Sequence, residues 1–444
     1  MKAKVHFFTA LFFLIFIPAR AGALSLFDDN TLISDFFYST LDSNEGTTSF
    51  RSLLIPFGGR TESLGNAYTG LCDDINYLRY NPAAGALQKE GQIALFHNSW
   101  IADSKLDTLA FTTRFNKIPS LSFGTFLSCF YLPFTEYNAF GDRVTSGYYS
   151  ETTGAFNISY NFFEGYDFKG LALGATVKAS WRSIPNYADD DTGLVIPNSG
   201  ISQSAAAFMA DIGMMMQFNF LKFYSSRDPN VRIGLSLQNL GAAVTGFTKT
   251  LVQDSPLPTL ASAGISVRFI KPFTLSLDFS QPLNLQDLKT YHLPYISTGI
   301  SVQFAPFLLF LAGAGIKGSN PHINAGFEFE VAKIRLNLNY TLDFTSSLAP
   351  FNKFSLSAKI MLGDKGRSIT AAKIDELYSE GLMFYAEEKW EEAIECWEKV
   401  LKLNRHFNPA SLGIKAARYR IEMLEMIKNS LKLDQDLCFL EKIL

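Results

Sequence analysis

Residues 334–344 read IRLNLNYTLDF, and the alternation of residue types in this stretch predicts the fold. Apolar side chains occupy every second position from Ile334 to Phe344, and polar side chains fill the positions between them. A period of two indicates a β-strand with one apolar and one polar face. Strands of soluble sandwiches usually have about five or six residues. The length of this stretch is instead typical of a tilted strand that crosses a bilayer, which needs about nine to eleven residues.

The same alternation recurs over residues 92–363, for example in 231–238 and 263–269. We count about fourteen such stretches, a number within the range of outer-membrane barrels. Closing the sheet also pairs backbone groups that lipid would leave unsatisfied. The sequence therefore predicts an all-β transmembrane barrel of about 14 antiparallel strands. Its strands are predicted to begin near Gln92, Asp107, Leu121, Thr152, Lys169, Ser204, Val231, Thr259, Phe273, Pro294, Phe307, Pro321, Ile334 and Asn352.

The connections between these stretches alternate in length. Those after even strands are short, at 117–119, 164–168, 271–272, 305–306 and 332–333, with 221–230 as an intermediate exception. Those after odd strands are long, at 133–151, 183–203, 241–258 and 282–293. Outer-membrane barrels have short periplasmic turns and long external loops. Both ends of the barrel are therefore predicted to face the periplasm.

Residues 1–23 are predicted to be a secretory signal peptide. Lys2 and Lys4 precede an apolar run at 7–17, and small residues suited to cleavage follow it. The chain is therefore expected to be exported. Cys72, Cys129, Cys396 and Cys438 are too scattered to indicate a disulfide framework. The formal net charge of −3 gives no reason to expect a nucleic-acid partner.

Residues 24–91 form the N-terminal segment, and its compact part, 55–87, is called the hatch below. The hatch reads IPFGGRTESLGNAYTGLCDDINYLRYNPAAGAL. Its glycines and Asn81-Pro82 permit the tight turns that a plug inside a barrel needs. Its apolar side chains predict an apolar plug rather than a charged lumen. They either contact a hydrophobic ligand or pack the plug against the barrel wall. The candidate ligand contacts are Phe57, Leu64, Tyr68, Leu71, Tyr77 and Tyr80.

Residues 366–444 form a separate tail of predicted α-helices. About one-third of its residues are charged, against about one-seventh of the chain before it. Small and aromatic residues from Gly381 to Val400 resemble the spacing of a tetratricopeptide repeat (TPR), without the usual proline near Arg405. One repeat buries its face poorly alone. The tail is thus either a cap under the barrel or a docking surface for a periplasmic partner.

No stretch of the sequence predicts catalysis, a metal site or a cofactor. Residues 313–318 read GAGIKG and fit the GxGxxG pattern, but Ser319-Asn320-Pro321 follows them instead of a helix. We assign this run to strand curvature or a tight loop. Residues 189–191 are three aspartates without the spacing of a calcium loop, and they predict a solvated tip. The histidines lack metal-ligand spacing.

The hatch contains an ordered series of short motifs. It includes Gly58, Gly59 and Arg60, then Gly65-Asn66-Ala67-Tyr68, Asp73-Asp74, and finally Asn81, Pro82 and Ala83. In this series the chain resembles the FadL-like outer-membrane proteins over about residues 50–362. With its helical tail it looks most like an uncharacterised spirochaetal branch of that family. The resemblance implies a hatch with an Asn-Pro-Ala turn, followed by a fourteen-stranded barrel.

The resemblance also implies a function and a location. FadL-like proteins let hydrophobic compounds, above all long-chain fatty acids, diffuse from the outer leaflet into the periplasm. The expected partners are outer-membrane lipid and hydrophobic small molecules, and the tail is expected in the periplasm. The alternative is a scaffold or secretion-associated barrel that recruits a periplasmic protein through its TPR-like tail. An unselective porin is disfavoured by the plug.

Overall fold

The computed structural model describes residue 44 and residues 46–440, apart from 116–117, 138–139, 166–167, 190–191, 227, 248–249, 290–291, 318–319 and 345–350. The predicted signal peptide, 1–23, lies outside the described residues. So do Asp190 and Asp191 of the acidic tip and Gly318 of the GxGxxG run.

Fourteen antiparallel strands close into a barrel, as the alternation predicts. Each strand pairs with its neighbours in the chain, and the last strand pairs with the first, with Ile360 opposite Ile93. Closure therefore gives the described barrel wall a partner on both sides of every one of its fourteen strands. The strands are β1 Gly91–Ser99, β2 Lys105–Arg114, β3 Leu121–Tyr137, β4 Arg143–Phe162, β5 Leu171–Ser183, β6 Ala205–Phe218, β7 Val231–Thr245, β8 Thr259–Ile270, β9 Phe273–Leu283, β10 Tyr295–Ala305, β11 Leu308–Lys317, β12 Asn320–Val331, β13 Ile334–Asp343 and β14 Phe351–Gly363.

The connections define two ends of the barrel. The short-turn end carries tight links such as 271–272 and 332–333, together with the start of β1 and the end of β14. The loop end carries the long links 184–204, 246–258 and 284–294. Val252–Gln253 in one of these loops adds a two-residue ladder to β7.

The predicted loop at 133–151 is wrong, because β3 and β4 extend through most of it. These strands have 17 and 20 residues, and Pro133 pairs with Tyr148. Tyr131 and Tyr148 also pack edge to face. Beyond Ser128 the alternation of buried and exposed residues in β3 fades although pairing continues. From Pro133 to Ser150 no described residue is buried, so the pattern that marks a strand of the barrel wall is lost there.

The barrel reverses the usual distribution of polar and apolar side chains. On β13, Leu336, Leu338 and Tyr340 are 42–50% exposed on the outside, whereas Asn337 and Asn339 are buried inside. Other strands repeat the pattern. A water-soluble protein buries apolar side chains and rarely exposes a continuous apolar belt. The outside of this barrel therefore suits a lipid environment.

The hatch folds inside the barrel, toward its short-turn end. It contains helix α1 (Arg60–Ser63), helix α2 (Tyr77–Tyr80) and the 3-10 helix Pro82–Leu87. Another 3-10 helix, Arg51–Leu54, precedes it, and α3, Ser199–Gln203, lies in a long loop. The apolar side chains of the hatch form one buried cluster with wall residues such as Phe96, Phe126 and Met215.

A belt of glycines on the inner wall makes room for the hatch. A Cβ atom on Gly234 of β7 would lie 2.1 Å from the Thr69 carbonyl oxygen, and one on Gly313 would lie 2.1 Å from the Gly65 nitrogen. Gly174, Gly213, Gly264, Gly299 and Gly326 also face hatch atoms at such distances. The wall and the hatch therefore touch backbone to backbone. This contact corrects our assignment of the glycines at 313–315, which serve close approach rather than curvature.

The tail contains three helices, α4 (Arg367–Ala386), α5 (Trp390–Leu403) and α6 (Asn408–Leu440). Its core centres on Trp397, whose indole lies against Gly381 of α4 on one side and Gly413 of α6 on the other. Those glycines are needed because a Cβ at either position would overlap the ring. The similarity to a TPR stays a prediction. Among the described helices, none is both long and apolar enough to cross a membrane.

Candidate ligand-binding site

A cavity of about 720 Å³ lies between the hatch and the loop end of the barrel. Its volume falls in the range of small-molecule sites, about 300–1,000 Å³. We call it the vestibule. Its apolar wall comes from the segment before the hatch, from the first residues of the hatch and from the loop ends of β1 and β3. These apolar lining residues include Phe50, Leu54, Ile55, Pro56, Trp100, Phe130 and Leu132.

The cations around the vestibule are engaged by partners. Lys353 of β14 forms an ion pair of 2.6 Å with Asp343 and lies 4.0 Å from the centre of the Trp100 ring. Arg182 of β5 pairs with Asp254 at 2.7 Å. Its guanidinium also lies over the Phe50 ring. The charges of these two side chains are therefore balanced by aspartates, while Arg51 and Lys317 also line the vestibule.

Glu62 of the hatch lies on the floor of the vestibule and is 2% exposed. Asn98 Nδ2 donates to one carboxylate oxygen at 3.0 Å, and Ser355 and Asn339 donate to the other. Burial raises the pKa of Glu62, and the hydrogen bonds from Ser355 and Asn98 offset part of that rise. Among the described residues, no lysine, arginine or histidine forms an ion pair with it.

Below Glu62, five charged residues join the hatch to the wall, and we call them the ionic latch. Arg60 of the hatch lies 2.7 Å from Asp73 and 2.8 Å from Glu328 of β12. Lys359 of β14 contacts Asp74 and lies 3.5 Å from Glu328. Burial alone would raise the pKa of Asp74, but the charges of Lys359 and Arg60 hold that pKa well below its usual range.

The latch closes the path toward the short-turn end. Arg60, Asp73 and Glu328 line a second cavity of about 170 Å³ on that side, whereas Glu62 lines the vestibule. The hatch lies between the two cavities.

Two further wall residues hold the hatch through its backbone. Asp278 of β9 accepts hydrogen bonds from the backbone nitrogens of Tyr68 and Thr69 at 2.8 and 2.5 Å. Gln238 of β7 accepts from Arg79 at 2.8 Å and donates to the Tyr80 carbonyl. These contacts hold the hatch to β9 and β7, whereas the latch holds it to β12 and β14.

The predicted hatch motif residues are brought together as structural elements. Asn81 caps the 3-10 helix by accepting from the Ala83 nitrogen at 3.1 Å, with Pro82 in the first helical position. Its amide also donates to the Met214 carbonyl of β6. Arg60 belongs to the latch. The glycines at 58, 59 and 65 have positive φ angles and lie against β14 and β11.

The six candidate ligand contacts all lie in the body of the hatch, and none lines the vestibule. Phe57 packs against Phe96 and Phe126 of the wall. The hydroxyl of Tyr77 bonds to Thr112, and the hydroxyl of Tyr80 donates to Asn66. Leu64, Tyr68 and Leu71 are also buried in the hatch core. Their contact with a ligand stays a prediction, and it requires the hatch to move.

The sequence predicted an apolar plug rather than a charged lumen, and the prediction for the lumen is wrong. The inner wall is polar and carries buried charges, including Lys359, Asp278 and the Lys178–Asp211 pair at 2.7 Å. Sequence reasoning missed these residues because it treated the polar face of each strand as uniform. A signal was present, since a lysine or aspartate on the inner face of a strand needs a partner inside the barrel.

Cys72, Cys129 and Cys396 are free thiols. In the part of the chain that the structure describes, no group of three or more His, Cys, Asp or Glu side chains could hold a metal ion.

Comparison with known families gives one match that covers most of the chain. The family described as "Uncharacterised protein family (UPF0164)" matches residues 37–365. A UPF0164 protein of Treponema pallidum (strain Nichols) is 28% identical over 391 residues, covering 86% of this chain and 85% of that protein. A second from the same organism is 23% identical over 404 residues, covering 85% and 77%. Both come from a spirochaete, as the resemblance implied.

Solved structures of low sequence identity also align with the chain. The P. putida toluene transporter TodX is 12% identical with a TM-score of 0.46, covering 69% of this chain and 98% of that chain. The CymD monoaromatic hydrocarbon channel is 12% identical with a TM-score of 0.45, covering 69% and 97%.

Proposed function

The chain belongs to the uncharacterised protein family UPF0164, and we propose that it carries hydrophobic compounds across the outer membrane. The observation that supports this proposal most strongly is the vestibule above a hatch inside a barrel with an apolar exterior. A compound from the external side enters an apolar chamber, and the hatch prevents free flow of water and ions. Apolar contacts contribute about 0.8 kcal/mol per buried CH₂ group.

The location follows the same reasoning. An apolar outer belt on a closed barrel is the form in which strands span an outer membrane. The short-turn end, with the chain ends of the barrel, then faces the periplasm. The tail follows β14 directly and is proposed to lie in the periplasm with it. Long-chain fatty acids, which the resemblance implies as cargo, stay a prediction.

The proposal predicts that cells producing the protein take up hydrophobic compounds faster than cells without it. We expect faster uptake of a radiolabelled aromatic hydrocarbon, and a labelled fatty acid tests the finer prediction. Replacing Leu132 by tryptophan fills part of the vestibule and should slow uptake, because this side chain lines the cavity.

The matched control is Leu127→Trp on the same strand. Leu127 is 55% exposed on the outer face, so the same change there leaves the vestibule open. Equal uptake by cells with and without the protein would refute the transport proposal. Equal slowing by both variants would show that the vestibule is not the route.

A second candidate function is a scaffold that recruits a periplasmic protein through the tail. Two observations favour it. The match to the family ends at residue 365, where the tail begins, and α6 exposes apolar side chains at Met426, Ile427 and Leu431. The tail helices pack on one another around Trp397 and so form a unit of their own.

Deleting residues 366–444 separates the two candidates. Under the transport proposal the truncated barrel still inserts, and uptake stays unchanged, because neither the vestibule nor the latch includes a tail residue. The measurement is uptake together with heat-dependent migration of the barrel on gels. Loss of function from an inserted, folded barrel would favour the scaffold.

A further inference from the structure

We propose that the vestibule selects hydrophobic compounds whose polar end donates hydrogen bonds, a hydroxyl or a protonated amine, over compounds that end in a carboxylate. This inference rests on the proposed transport function and names the class of cargo. It comes from the residues that surround Glu62 on the vestibule floor.

The floor is rich in hydrogen-bond acceptors. Asn98 and Asn339 do not themselves line the vestibule, but both donate their amide nitrogens to Glu62. Among the described residues, their carbonyl oxygens have no hydrogen-bond partner. The carbonyl oxygen of Asn324, which lines the vestibule, is also unpartnered, because the amide nitrogen donates to Thr341. All three asparagines are at most 2% exposed. Buried polar atoms normally have partners.

Among the described residues, no lysine, arginine or histidine forms an ion pair with the carboxyl group of Glu62. Glu62 receives hydrogen bonds only from neutral groups, and the nearby Lys353 is held by Asp343 at 2.6 Å. A buried carboxylate without an opposite charge is costly. A ligand that brings a proton donor or a positive charge relieves this cost, whereas a ligand carboxylate adds a second negative charge.

The geometry assigns one end of the ligand to each part of the vestibule. The apolar wall at Trp100, Phe130 and Leu132 receives the hydrocarbon part. The floor at Glu62 and Asn324 receives the polar end. Pockets of this kind bind through apolar area and gain specificity from a few polar groups.

The test compares three probes of equal chain length, octanol, octylamine and octanoate. Each displaces pyrene, a fluorescent hydrocarbon without a polar end, from the purified full-length protein. We expect octanoate to bind at least about tenfold more weakly than the better of the other two, because hydrogen bonds to charged groups are the strong ones. A preference for octylamine over octanol identifies a cationic cargo. Equal binding of these two probes shows that the site needs a hydrogen-bond donor but not a positive charge.

Two variants test which side chains cause the preference among the three probes. Glu62→Gln removes the charge and keeps the shape, so octanoate should bind nearly as well as octanol. Asn324→Leu removes a free acceptor and should weaken octanol without changing pyrene binding. The control is Glu330→Gln, which removes a carboxylate from the second cavity, where it pairs with Arg335 at 2.8 Å. It should leave the ranking unchanged.

The outcomes separate this inference from the proposed function. If pyrene binds but octanoate equals the other probes, or if Glu62→Gln leaves the ranking intact, the head-group inference is wrong and the hydrophobic site stands. If pyrene and all three probes fail to bind the wild-type protein, the proposed function itself is overturned.

Discussion

Replacing Lys359 by methionine is expected to release the hatch and to open the barrel to ions. Lys359 is fully buried and contacts both Asp74 of the hatch and Glu328 of the wall. Removing one partner of a buried ionic group leaves uncompensated charge, which typically costs about 3–5 kcal/mol. The cost falls on the closed arrangement, because a displaced hatch lets water reach the carboxylates. The measurement is ion conductance in a planar bilayer, together with the thermal unfolding midpoint.

Lys89→Met is the matched control for the latch. Lys89 also pairs with an aspartate, Asp228, but both side chains are more than half exposed. Exposed ion pairs contribute about 0–1 kcal/mol, so this variant should stay closed and stable. A closed, stable Lys359→Met barrel would show that the latch does not hold the hatch. Equal ion conductance through both variants would show that the loss of any lysine charge, and not of the latch, opens the barrel.

Replacing Gly234 by valine is expected to expel part of the hatch from the barrel. The new Cβ would lie 2.1 Å from the Thr69 carbonyl oxygen, and the backbone of Met214 and Thr69 is tied nearby by Asn81. Overpacking costs about 1–3 kcal/mol or more when neighbours have no room to move. The measurement is trypsin cleavage after Arg60 and Arg79, which the folded hatch keeps buried.

Gly154→Val on β4 is the control for this substitution. A Cβ there meets only Leu127 at 4.0 Å, on the outer face of the barrel. Valine also suits a strand, so this variant should resist trypsin as the wild-type protein does. If trypsin does not cleave the hatch in Gly234→Val, the barrel wall accommodates the new side chain. The glycine belt would then not be required to hold the hatch in place.

The strand pattern could be predicted from the sequence because a barrel in lipid obeys a simple local rule. Each strand must alternate between an apolar outside and a different inside, as 334–344 does. The alternation is lost where residues do not belong to the barrel wall. Between residues 133 and 150 no described residue is buried, so the paired strands were predicted as a loop.

The site could be predicted only in part. The order of glycines, Arg60 and Asn81-Pro82 indicated a compact hatch, because these residue types permit turns and caps within a few positions of each other. The sequence could not show that Arg60 meets Glu328, which lies 268 positions away. It also could not separate the aromatic residues that fill the hatch from those that line the vestibule, since both sets are apolar.

The antiparallel strands, their approximate number and the hatch before them can be predicted from the sequence alone. Those features depend on periodicity and turn chemistry, which act over a few residues. The seat of the hatch, the charges of the latch and the position of the vestibule become visible in the folded chain. The glycine belt, the partners of Lys359 and the acceptors around Glu62 come from strands distant in the chain, and closure of the barrel brings them together.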